Sequence, residues 1–256
     1  MKKLMIAASV AICATAGFAL ESANIVGYNN TAAEANFNWY APMFVAVGAN
    51  TIDINSIQII DVNQEGMVGW GDSMQIVGPL GNASANYFFY SDPSMDLSGK
   101  ATGPFWSDDQ GNSVEVSFDS GDGIAIDNAN ALTFAIQTAG QVPTGDVQFN
   151  AGANFNWSGN PFPAPISINN VQIIDVKEEG MVGWGDSMQI VGPLGNASAN
   201  YFFYSDPSMD LSGKATGPFW SDDQGNSVDV MLQPGAGFAI DNANGLEFDI
   251  KIACPY

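Results

Sequence analysis

The stretch GMVGWGDSMQIVGPLGNASANYFFYSD occupies positions 66–92 and recurs, letter for letter, at 180–206. Shifted by 114 residues, 57–116 matches 171–230 at 56 of 60 positions. The exceptions are Ile57/Val171, Asn63/Lys177, Gln64/Glu178 and Glu115/Asp229. Further on, GDGIAIDNANALTFAI (121–136) is answered by GAGFAIDNANGLEFDI (235–250). Upstream, ANFNW begins at Ala35 and again at Ala153, a shift of 118, so the second copy lacks four residues between the two blocks. Such a chain must build the same structure twice. The expected units are 20–141 and 142–256, with Pro143-Thr144-Gly145 as the turn between them. A unit of this length exceeds most solenoid repeats, which leaves two tandem modules or two halves of one pseudo-two-fold domain.

The local patterns are those of strands. Leu246, Phe248, Ile250 and Ile252 alternate with Glu247, Asp249 and Lys251, the period of a half-buried strand. Val114, Val116 and Phe118 alternate with Glu115 and Ser117 in the same way. IQIIDV, MQIVG and NYFFYS are short apolar or aromatic runs between Gly, Pro, Asn and Asp clusters. No window carries a capped helical stripe. The expected fold class is all-β: two homologous β-sandwich or barrel-like units of seven to nine strands each.

Residues 1–19 read as a secretory signal peptide. Lys2 and Lys3 precede an apolar run from Leu4 to Ala16, and Gly17-Phe18-Ala19 places small residues for cleavage after Ala19. No later stretch has the length of a membrane-spanning helix, so no integral membrane segment is expected after cleavage. The expected location is the exterior, surface or periplasm of a bacterium. Past Ala19 four lysines face 27 acids, with no Arg and no His. Phosphate binding needs clustered cations, so a nucleic-acid partner is excluded.

The same composition argues against catalysis. Without His there is no Ser-His-Asp arrangement and no histidine metal site. Without Arg there is no bidentate anion clamp. Asp61 with Glu65, matched by Asp175 with Glu179, can be nominated as a glycosidase-like carboxylate pair, and among 27 acids the nomination carries little weight. The chain reads as a non-enzyme without a cofactor, calcium being the one ion its turns could take.

Three kinds of site remain. The turn SDDQGNS, at 107–113 and 221–227, offers Asp108, Asp109, Asp222 and Asp223 to calcium; equally, Asp, Asn and Gly are the residues that build tight turns. Trp70, Trp106 and Tyr90, repeated as Trp184, Trp220 and Tyr204, could stack on the sugar rings of a surface glycan, or could fill the core. Self-association is the third: edge strands such as NIVGYNN can pair between chains, and Cys254, the single cysteine past the signal peptide, could form an intermolecular disulfide.

ESANIVGYNN directly after the signal peptide, and GDGIAIDNANALTFAIQTAGQVPTG at the unit junction, resemble segments of secreted two-repeat β proteins of Verrucomicrobia and Lentisphaerae. In those proteins an ANIVGY-like strand opens two similar β units, and each unit closes on a GEGFFI…LTFVGEV-like segment. The resemblance implies a secreted or surface-associated β protein and transfers no functional residues. The terminal ACPY departs from the pattern.

Overall fold

The computed structural model describes residues 26–33, 36–60, 73–77, 83–128, 134–152, 154–174, 187–191, 197–242 and 248–256. These are all-β, interrupted only by four 3-10 turns. The expected signal peptide lies outside the described residues.

Ten strands fall in residues 26–141: β1 (Val26–Ala33), β2 (Asn36–Tyr40), β3 (Thr51–Asp53), β4 (Ile57–Ile60), β5 (Ser73–Val77), β6 (Ala83–Tyr90), β7 (Phe105–Ser107), β8 (Ser117–Asp119), β9 (Ile124–Asn128) and β10 (Phe134–Gln141). Ten more follow: β11 (Val147–Ala151), β12 (Asn154–Gly159), β13 (Ile166–Ser167), β14 (Val171–Ile174), β15 (Ser187–Val191), β16 (Ala197–Tyr204), β17 (Phe219–Ser221), β18 (Met231–Leu232), β19 (Gly237–Asn242) and β20 (Phe248–Ile252). The excess over the expected seven to nine comes from strands of two or three residues, β3, β7, β8, β13, β17 and β18, which are too short to show a period of two.

Sheets β1-β10-β4, β2-β9-β5-β6-β7 and β3-β8 have counterparts β11-β20-β14, β12-β19-β15-β16-β17 and β13-β18, in the same order. All pairings are antiparallel. The described part of NIVGYNN, from Val26 on, opens β1, which pairs with β10 of its own chain, Val26 opposite Gln141. Strand β20 follows the alternation read from the sequence: Phe248, Ile250 and Ile252 are buried, Asp249 and Lys251 half-buried.

Two cores result, and they share no residue. One gathers side chains from three sheets, among them Ile52, Ile57, Phe89, Trp106, Phe118, Ile124 and Ile136. The other does the same with Ile166, Val171, Phe203, Trp220, Leu232, Phe238 and Ile250.

Corresponding residues also join the two halves. Tyr40 bridges Ala236, and Ser158, the residue aligned with Tyr40, bridges Asp122, the residue aligned with Ala236. The Ala41 N–H donates to Gly235 O at 3.0 Å and the Gly123 N–H to Trp157 O at 3.2 Å. Between them Trp39 stacks on Trp157, with ring centroids 3.9 Å apart and planes 12° from parallel. The approach is close enough to need glycine. A Cβ on Gly159 would lie 2.5 Å from the Ala41 Cβ and 2.6 Å from Ala236 O. Gly159→Val is therefore expected to cost about 1–3 kcal/mol through overpacking and to split one calorimetric transition into two. A single transition at the wild-type midpoint would show that the halves do not meet this way.

Candidate functional site

Trp106 and Trp220 are 0% exposed, which corrects their assignment as sugar-stacking residues. Strands β7 and β17 are buried on both faces, so each indole has protein on all sides. Trp106 Nε1–H donates to Ile57 O at 2.6 Å and its ring meets Phe89 edge-on; Trp220 repeats this with Val171 O and Phe203. Tyr90 and Tyr204, each 5% exposed, stack on Phe105 and Phe219 and are equally closed to a ligand. Trp70 and Trp184 lie outside the described residues, as do Asp61, Glu65, Asp175 and Glu179.

The DDQGN turns explain their own aspartates. Asp108 Oδ1 accepts from the backbone N–H of Gln110 and Asn112, and the Asn112 side-chain amide also donates to the carboxylate. The Asn112 backbone bond is the main cause holding the Asp108 carboxyl below its ordinary range, and Asp222 is held low in the same way by Asn226. Gly111 closes the turn at φ +80°, a region open to glycine and costly for other residues. Asp109 and Asp223 point outward as exposed neighbours. The oxygens of Asp108 and Asp222 thus have a structural use within their own turns. Among the described residues no three acidic, His or Cys side chains gather for a metal.

The most heavily hydrogen-bonded carboxylates are a pair not nominated from the sequence, Asp96 and Asp210. Each is only 7% exposed. Asp96 accepts from the backbone N–H groups of Ser98, Lys100, Ala101 and Ser113 at 2.7–2.9 Å, and from the hydroxyls of Ser98 and Ser113. Asp210 repeats the cradle with Ser212, Lys214, Ala215 and Ser227. Burial alone would raise these carboxyls; the converging N–H donors outweigh it and hold both well below the ordinary carboxylate range. The cradle fixes the loops that carry Met95, Leu97, Met209 and Leu211 outward. The sequence signal was SDPSMDLSGK, spelled twice, but nothing local in it announces Ser113 as a partner.

Cys254 is half-buried against the second core, and its backbone N–H donates to Asp146 Oδ1 at 2.9 Å. Asp146 also pairs with Lys251 at 2.7 Å. This ties the start of β11 to the end of β20.

The linker forms one wall of a groove, a hollow of about 610 Å³. Val45 and Asn50 come from the β2–β3 connection, Asp119 and Ser120 from the end of β8, and Pro143 to Asn150 from the linker and β11. Two amides on this wall are held from behind: Gln148 Nε2 and Asn150 Nδ2 donate to the two oxygens of Asp249, at 2.9 and 3.3 Å. Ser120, in the same lining, has an Oγ buried without a hydrogen-bond partner among the described residues. The groove occurs at the junction of the halves, a common place for ligand sites.

No protein family, curated protein or solved structure matches the chain. Among the described residues no helix is long and apolar enough to cross a membrane.

Proposed function

We propose that the chain is a secreted, non-catalytic β-repeat protein with a structural or interaction role at the bacterial cell surface or in the extracellular matrix, and that it works by self-association. One observation carries the reading. Each half holds out the same apolar-tipped loop, with Leu97 and Leu211 each 77% exposed and Met95 and Met209 each 48% exposed. Single exposed apolar side chains are ordinary on a protein surface. Here they come in pairs, in duplicate, on loops pinned by a buried carboxylate. Rigid apolar contacts lose little entropy on binding, and two on one chain gain from avidity.

The net charge of −21 opposes contact between copies, so salt should promote it. Sedimentation velocity on the chain from Leu20 onward should show oligomers that grow with concentration and ionic strength. Leu97→Ser with Leu211→Ser should shift them to monomer, and reductant should remove any fraction linked through Cys254. A wild-type monomer at every concentration and salt would reject self-association.

A further inference from the structure

We infer that the groove between the β8 turn and the linker binds a short neutral oligosaccharide, through Asn50, Asp119, Gln148 and Asn150. Four features point there.

First, the lining is rich in planar hydrogen-bonding groups: the amides of Asn50, Gln148 and Asn150 and the carboxylate of Asp119. Such groups suit the vicinal hydroxyls of a sugar, which donate and accept along one edge. Asp249 takes one amide N–H from each of Gln148 and Asn150, which leaves each a second N–H and its carbonyl oxygen to offer. The shared anchor fixes the two side chains before a ligand arrives, which lowers the entropy lost on binding.

Second, the two walls come from different halves, Asn50 and Asp119 from the first and Gln148 and Asn150 from the second, and such junctions are where ligand sites commonly form.

Third, the charge selects against anions. Asp119 and Asp146 line the groove and no Lys does; Lys251, close by, is engaged by Asp146 at 2.7 Å. A phosphate, sulfate or uronate would meet carboxylates. A neutral polyol would not, and the half-buried ring of Phe149 offers apolar surface for its C–H faces. A hollow of about 610 Å³ has the size of ordinary small-ligand sites.

Fourth, the site occurs once in a chain that otherwise repeats itself. At the aligned turn the second half carries Gln233 and Pro234 in place of Asp119 and Ser120. The duplicated aromatics gave two equivalent candidates and both are buried; this groove owes nothing to them.

The second half also supplies the control. Asp119→Gln installs the side chain that the aligned position 233 already carries and leaves the Ser120 N–H bond to Asn50 O in place, so the variant should fold. The chain from Leu20 onward, in EDTA, is titrated by saturation-transfer NMR and calorimetry with cellotetraose, xylotetraose, maltotetraose and chitotetraose. At least one should bind saturably, with Kd of about 1 mM or tighter. Asp119→Gln and Gln148→Ala/Asn150→Ala should each weaken it by about tenfold or more, with melting temperatures near that of the wild type. Leu97→Ser/Leu211→Ser should bind as the wild type does. Failure of all four sugars to saturate, or an affinity unchanged in both groove variants, overturns the inference. So does binding of calcium alone, in the absence of EDTA, that the groove variants abolish.

Discussion

Replacing Trp106 with alanine is expected to cost about 3–5 kcal/mol, the range for removing a buried indole, and to leave Ile57 O without its donor. That is a large share of the about 5–15 kcal/mol by which a domain is ordinarily stable. Trp106→Phe separates the two effects. It keeps most of the bulk but removes the Nε1–H bond at 2.6 Å, so about 1–3 kcal/mol is expected for the orphaned carbonyl together with a small void. Trp220→Ala should cost the same amount, because burial, hydrogen bond and edge-on Phe contact are repeated there. The two cores share no residue, so the double variant should lose the sum of the single losses within about 0.5 kcal/mol. Urea unfolding of the four proteins measures all of this. A loss below about 1 kcal/mol for Trp106→Ala would mean that the indole is not in the core.

Acid should find the Asp96 and Asp210 cradles next. Their folded carboxyls titrate below the unfolded value of about 3.9. The stability they contribute is therefore fully present above that pH and is lost as pH falls below about 4 and on through the folded values. Asp96→Asn with Asp210→Asn removes the charge and turns an amide N–H₂ toward backbone donors. The double variant should melt several degrees below wild type at pH 7, and the gap should narrow steadily from pH 4 to pH 2. Thermal melts by circular dichroism across that range test it; a gap that stays constant or widens toward low pH would remove the ionised carboxylates from the account.

The strands were legible where one face is wet. Phe248, Ile250 and Ile252 alternate with polar residues, and β20 alternates in burial as they do. Strand β7 was not, because Phe105, Trp106 and Ser107 are all buried and a strand covered on both faces has no period to read. That is why an indole next to a turn looked equally suited to a sugar. Asp108 could be understood locally, since its partners lie two and four residues on. Asp96 could not, because its cradle closes through Ser113, brought back by the intervening strand. The groove was still further from view: Asn50, Ser120 and Asn150 are spread over a hundred residues of sequence, and only the folded junction sets them around one hollow. Trp39 and Trp157 were visible as a repeated letter and silent about their stack, since an alignment superposes two copies and says nothing of whether they touch.

That stack has a consequence for how the chain is closed. Strands β2 and β12 are the outermost strands of their five-stranded sheets, and each runs into the turn before β9 or β19 of the opposite half through aligned residues. This is the isologous contact of a two-fold homodimer, written within one polypeptide. Each half is the cap of the other. Two strand ends that in a lone unit would recruit a stranger are used up internally, which directs any assembly of whole chains to other surfaces.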